Sequence, residues 1–348
     1  MDKNIRRHNA CQRRVRLPRI CQIVLLGLLA ASAIFVWPQG PCQAQGDMQP
    51  SSDSQSQRSF HVTIPPDGQS LIGVELPLPE SVELVEGVQY GRASDIALRL
   101  DLYRPKNISQ PTAGLVFIHG GGWAAGRRKD YRYYGIKLAE KGYVVASISY
   151  RLRDVAPFPA AVEDAKCAVR WLRAHAEQYQ IDPERIAVAG GSAGGHLAMM
   201  VGYSSDIPPL EGNGGYPKVS SRVQVVVDFY GPVDLTTQFA RQNSLVVNFL
   251  GKPYDEAAQL YQQASPLSYI TADDPPTLIF HGSSDRIVPI HQAEVLVEAL
   301  KKAGVAYQFH RLEGWSHGMD LARAVNDYCL EHMLQFFQAH LAAHHAPR

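Results

Sequence analysis

Apolar and polar positions take up a regular rhythm at Val82 and keep it almost to the C-terminus. Val82–Gln89 and Ile96–Tyr103 alternate with period two around Gly91 and Asp95, which predicts an antiparallel pair of strands. Short apolar runs follow at Leu115–Ile118, Tyr143–Ser147, Ile186–Ala189, Val223–Asp228 and Thr277–Phe280, and Tyr307–Arg311 closes the series. Uninterrupted runs of this kind mark strands covered on both faces. Between them the period lengthens. Helices are predicted near Tyr133–Lys141, over Pro159–Tyr179 (Val162, Ala165, Val169, Leu172 and Ala176 on one face), over Ile290–Ala303 and over Leu321–His340. Gly142 and Gly304 stop the first and third. Alternation of strand and helix predicts an α/β fold with a mostly parallel, eight-stranded sheet and helices on both faces. Ligand chemistry in such sheets sits at the carboxyl ends of the strands. Ser204–Ser221 and Thr236–Asp274 fit no regular element and are expected to wall or cover a pocket.

The first 81 residues differ from the rest. Residues 1–44 carry seven basic side chains and one acid, followed by an apolar run from Ile23 to Trp37 that Pro38 and Gly40 break. The run is short for a membrane span of about 20 residues. With Cys42-Gln43-Ala44 as a small-residue cleavage site, the pattern reads as a signal peptide, hence a secreted or periplasmic protein with no stable span after cleavage. An uncleaved membrane anchor is the alternative. Residues 45–59 are polar and Ser/Gln-rich, and 60–81 hold several prolines, so 45–81 reads as a linker with an extended lead-in. Residues 82–348 form one α/β domain of ordinary size.

Charge removes one class of partner. The chain has a formal charge of +1, but beyond residue 44 there are 27 basic and 32 acidic side chains, which is no nucleic-acid footprint. Cys11, Cys21 and Cys42 lie in the leader. Cys167 and Cys329 fall on helices expected to cover opposite faces of the sheet, so two buried free thiols are expected. The pattern fixes no oligomeric state.

The chemistry concentrates in four loops. Gly190-Gly191-Ser192-Ala193-Gly194 contains G-x-S-x-G between a buried strand and an apolar helix, the setting that lifts a serine hydroxyl out of the sheet on a strained turn. A phosphate loop is excluded, because no Lys-Ser/Thr follows the glycines. His119-Gly120-Gly121-Gly122-Trp123 follows another buried strand. Consecutive glycines leave backbone N–H groups uncovered, so Gly121 and Gly122, with Ala193 at the helix start, are candidate oxyanion donors, and His119 is expected to brace the loop. Asp285 and His317 lie in loops after the last two core strands, in the order Ser, acid, His that this fold uses. His317 would take the Ser192 proton, and Asp285 would orient the imidazole. His281, His291 and His310 read as core, helix-start and strand histidines, and Asp234 as a cap. Trp123, Tyr150 and Trp315 stand beside the site as candidate pocket aromatics, with ordinary packing as the competing reading. No metal-ligand spacing is present, and no cofactor is expected.

Together HGGGW, YRL at Tyr150–Leu152, FPA at Phe158–Ala160, RWLRAHAEQYQIDPERIAVAGGSAGGHLA and DPPTLIFHGSSDRIVP resemble the hormone-sensitive-lipase-like α/β-hydrolases, and within them the bacterial feruloyl and acetylxylan esterase-like members. The resemblance covers about residues 85–340. It implies cofactor-free hydrolysis of carboxylic esters through an acyl-enzyme, with Ser192, Asp285 and His317 as triad and Gly121, Gly122 and Ala193 as oxyanion hole. Gly191 departs from the pattern, since many relatives carry Asp before the serine. Acetyl or feruloyl esters of polysaccharides are the expected substrates, a generic short-chain carboxylesterase is the alternative, and a non-catalytic binding module on the same scaffold is the competing class.

Overall fold

The structure is a computed structural model, and residues 56–71 and 74–342 are described. The leader and its three cysteines lie outside the described residues. In chain order the strands are β1 (Gln57–Val62), β2 (Val82–Ala93), β3 (Ile96–Pro105), β4 (Thr112–Ile118), β5 (Val144–Ile148), β6 (Ile181–Gly191), β7 (Val225–Phe229), β8 (Thr277–Gly282) and β9 (Tyr307–Leu312). The helices are α1 (Arg132–Glu140), α2 (Ala160–Ala174), α3 (Ala176–Tyr179), α4 (Ala193–Tyr203), α5 (Pro208–Glu211), α6 (Gln238–Gln242), α7 (Ser244–Leu250), α8 (Tyr254–Gln263), α9 (His291–Ala303) and α10 (Arg323–His340).

One sheet takes the order β1-β9-β8-β7-β6-β4-β5-β3-β2. β2 and β3 pair antiparallel, as do β3 and β5, and every other pairing is parallel. Successive side chains of the central strands face opposite layers. Val116, Ile118, Val188, Val226 and Ile279 meet α2, α4 and α9 on one side, while Leu115, Phe117, Ala189, Val227 and Phe280 meet α1 and α10 on the other. Both faces are thus buried, which is why these strands read as unbroken apolar runs. Cys167 and Cys329 are free, buried and in opposite layers.

The structure corrects three expectations. Among the described residues the sheet has nine strands rather than eight, because Gln57–Val62, assigned to linker and lead-in, pairs in parallel with β9. An edge strand is held by its backbone and needs apolar residues on little of its surface, so composition conceals it; here Phe60 stacks on His310 at 4.8 Å. Next, Thr236–Asp274 is helical: α6, α7, α8 and a 3₁₀ turn at Pro266–Tyr269. Its signals are local, with Thr237 and Asn243 as N-caps and Gly251 in the left-handed conformation ending α7. Finally, Ser204–Ser221 does not cover the predicted nucleophile. It follows the far end of α4, about 16 Å from Ser192 at 1.5 Å per residue. Its short α5 is pinned to α2 by Glu211, which accepts from Lys166 and Arg170 at 2.8 Å each.

Candidate active site

β6 ends at Gly191 and α4 begins at Ala193, leaving Ser192 alone on the turn with φ 57° and ψ −120°. A non-glycine residue there costs about 1–3 kcal/mol. Neighbouring backbone holds it: Ser192 N–H donates to Phe229 O at 2.8 Å and His196 N–H to Ser192 O at 3.0 Å. Gly194 is required, since a Cβ there would run into the carbonyls of Ile118 and His119.

Three loops converge on this turn. Ser192 Oγ lies 2.9 Å from His317 Nε2, and His317 Nδ1 lies 2.7 Å from Asp285 Oδ2. The carboxylate can only accept, so Nδ1 carries a proton and Nε2 is free to take the one on Ser192. Asp285 Oδ1 accepts the Ile287 and Val288 N–H groups at 2.8 and 2.9 Å, and buried His281 stands 3.4 Å from Oδ2. Burial would raise the Asp285 pKa. The hydrogen bonds from His281, His317 and Val288 outweigh it and hold the carboxyl well below the usual carboxylate range. The two loops are zipped together: Ser284 N–H donates to Trp315 O at 2.9 Å and Gly314 N–H to Ser283 Oγ at 2.8 Å. The rival residues lie elsewhere in role. Asp234 caps its own turn by accepting from Thr236 N–H and Oγ1 at 2.7 Å, and His310 bonds Tyr328.

The glycine loop after β4 lies against the turn. A Cβ on Gly120 would stand 3.3 Å from Ser192 Cβ. Gly121 and Gly122 have φ of +97° and +60°, and among the described residues their N–H groups meet no protein acceptor. The Ala193 N–H opens α4 and has no intrahelical acceptor. Ala193 adjoins Ser192 in the chain, and Gly121 and Gly122 directly follow Gly120, the loop residue that lies against it. His119 Nδ1 donates to Gly120 O at 2.9 Å, and its ring stacks on Tyr150 at 4.3 Å.

The aromatic expectations are corrected. Trp123 is 3% exposed and Tyr150 5% exposed, so neither presents a wall to a ligand. Trp123 has φ 55°, which turns its indole inward onto Phe249 of α7, at 4.3 Å and 10°. Tyr150 donates its hydroxyl to His119 O at 3.1 Å from beneath the loop. Trp315 is partly buried, and its indole N–H ties down the N-terminal segment by donating to Ile64 O at 3.0 Å.

Sequence reasoning missed a buried polar group behind the imidazole. Tyr230, strained at φ 45°, packs its ring edge-on to His317 at 4.7 Å and donates its hydroxyl to Asp320. The Tyr131 hydroxyl joins Tyr230 and fills the space a Cβ on Gly191 would need. That explains why glycine, not aspartate, precedes Ser192. Burial pushes the Asp320 carboxyl upward. The only hint in the chain is the position of Asp320, three residues beyond His317.

His196 links the serine helix to the C-terminal end of α8. Its Nε2 donates to Ala264 O at 2.8 Å, and burial pushes its pKa down to about 4. The unfolded chain therefore takes up this proton near 6.5 while the folded chain resists until about 4. The stability involved is intact above about pH 6.5 and is lost as pH falls toward 4, about 3 kcal/mol in all. Chemical denaturation from pH 7 to 4.5 is expected to show His196→Phe with a shallower pH slope than wild type, by up to one proton. Equal slopes would contradict a neutral buried imidazole.

Sheet topology and site together define the class: an esterase on the α/β-hydrolase scaffold. The BD-FAE family profile matches residues 100–300, and the chain belongs to that family. Esterase LipC of Mycobacterium tuberculosis is 32% identical over 76% of this chain and 70% of its own length. The chain spans about half the length of other curated relatives it matches. Among solved structures, a truncated carbohydrate esterase from gut microbiota superposes with a TM-score of 0.67 at 28% identity, over 74% of this chain and 95% of that one. An acetyl ester-xyloside bifunctional hydrolase from Caldicellulosiruptor lactoaceticus gives 0.63 at 26%, over 71% and 89%.

Proposed function

We propose that the chain is a serine carboxylic-ester hydrolase acting through an acyl-enzyme, with acetyl or feruloyl groups on polysaccharides as its esters. The observation that carries the mechanism is the pair of contacts at 2.9 and 2.7 Å joining Ser192, His317 and Asp285. Ser192 Oγ attacks the ester carbonyl as His317 Nε2 takes its proton. The oxyanion forms against the Gly121, Gly122 and Ala193 N–H groups. His317 returns the proton to the departing alcohol, and water, activated by the same imidazole, releases the acid.

The polysaccharide reading is supported by the carbohydrate esterase and the acetyl ester-xyloside hydrolase among similar structures. An exported chain, with residues 1–44 as its leader, would meet such esters outside the cytoplasm; the seven basic residues before the apolar run support export. A generic short-chain carboxylesterase is the second reading, favoured by the similarity to Esterase LipC. Acetate release from acetylated xylan, set against p-nitrophenyl acetate hydrolysis, separates the two. The first reading predicts sustained release from xylan. Rapid hydrolysis of the small ester with none from the polymer selects the second.

A further inference from the structure

Two adjacent residues at the end of β7 touch both the nucleophile and its base. Phe229 closes β7, and its carbonyl accepts the Ser192 N–H at 2.8 Å. Tyr230 comes next, and its ring meets the His317 ring edge-on with centroids 4.7 Å apart. The pair therefore registers the serine turn after β6 against the histidine loop after β9. Tyr230 is itself tied to the sheet, since its N–H donates to Phe280 O of β8 at 2.9 Å.

Tyr230 does not sit there at rest. A φ of 45° on a bulky aromatic residue costs about 1–3 kcal/mol and persists only where the surroundings hold it. Its hydroxyl is what they hold. That hydroxyl donates to the carboxyl of Asp320, in the buried 3₁₀ turn Met319–Leu321 just beyond His317. Asp320 is fastened in turn, because Asn326 Nδ2 of α10 donates to its carbonyl at 2.9 Å. On the other side, the Tyr230 hydroxyl would stand 3.1 Å from a Cβ on Gly191, so glycine before Ser192 leaves the ring its place.

His317 needs such a support. Its side chain is partly open to solvent, and Asp285 holds it through Nδ1 alone. A hydrogen bond tolerates about 30° of misalignment. Swings of that size would carry Nε2 off the Ser192 oxygen, and a packed ring restrains them. Resting on the reading above, we infer that Tyr230 is a positioning residue for His317, locked in place by its hydrogen bond to Asp320. It gives and takes no proton. Its part is to keep Nε2 in line with Ser192 Oγ through both steps of the reaction.

The test measures kcat and KM separately for p-nitrophenyl acetate. The proteins are wild type, Tyr230→Phe, Asp320→Leu, Asp320→Asn and the double variant Tyr230→Phe/Asp320→Leu, each checked for folding by circular dichroism and melting temperature. Tyr230→Phe keeps the ring and loses the lock. Its kcat is expected to fall about tenfold, within the 100-fold or so that a misplacement of about 1 Å can cost, with KM unchanged. Asp320→Leu should match it. Asp320→Asn keeps an oxygen for the hydroxyl and should recover most of that loss. The double variant should lose no more than the worse single one, because both changes break the same contact. Wild-type kcat in folded Tyr230→Phe, a rise in KM alone, additive losses in the double variant, or Asp320→Asn no better than Asp320→Leu would each overturn the assignment while leaving the esterase intact. A wild type that cleaves no ester would instead sink the underlying reading.

Discussion

Replacing Ser192 with alanine is expected to cut ester turnover by about 10⁴-fold or more while leaving the fold unchanged. The side chain does little structurally. Its hydroxyl meets His317, and the strained turn is fastened by backbone contacts to Phe229 and His196 that alanine keeps. Alanine at φ 57° is strained to about the same degree as serine. What disappears is the bond-forming oxygen. Residual hydrolysis would come from the glycine loop and the imidazole acting on water. Steady-state rates on p-nitrophenyl acetate check this, with the melting temperature as control. Turnover within tenfold of wild type would mean that another residue attacks.

Asp285→Asn carries the second largest effect, about 10⁴-fold in kcat. The carboxylate accepts from His317, Ile287 and Val288 at once. An amide has one oxygen, so it serves either the backbone pair or the imidazole. If the oxygen stays with the backbone, the NH₂ faces His317 Nδ1 and forces the proton onto Nε2. That nitrogen then points a donor at Ser192 and cannot act as base. The variant should also lose about 1–3 kcal/mol of stability. The pH dependence has a definite sign. The folded carboxyl is held below its unfolded value, so its contribution is full above the ordinary carboxylate range and is lost as pH falls toward the folded pKa. Asp285→Asn should remove that share of the acid sensitivity. A variant with near-normal kcat and an unaltered acid limb would show that Asp285 does not orient His317.

Much of this site was legible before any coordinates. Ser192, Asp285 and His317 each follow a strand in a parallel sheet, and such strands deliver their ends to one edge. The glycine run at 120–122 was legible because only backbone can offer adjacent uncovered donors. What escaped was contact between elements with no common motif. Tyr131, Tyr230 and Asp320 meet behind His317 although nearly 200 residues separate the first from the last. Leu245 reaches Gly122 from a short capped helix that carries no apolar period of its own. Trp123 and Tyr150 take the packing alternative over the pocket one for a related reason. Nearness in sequence does not determine which way a side chain points, and the positive φ at Trp123 sends its ring into the core. The edge strand β1 escaped because its pairing is made by peptide groups, which every sequence has.

The central claim is that the hydroxyl of Ser192 is activated by His317. Treatment with a fluorophosphonate probe, followed by peptide mass spectrometry, tests it most directly. One adduct per chain on Ser192, abolished in Ser192→Ala and strongly slowed in Asp285→Asn, is the result this geometry predicts. Folded wild-type protein that stays unlabelled, or takes the probe on another residue, would contradict it.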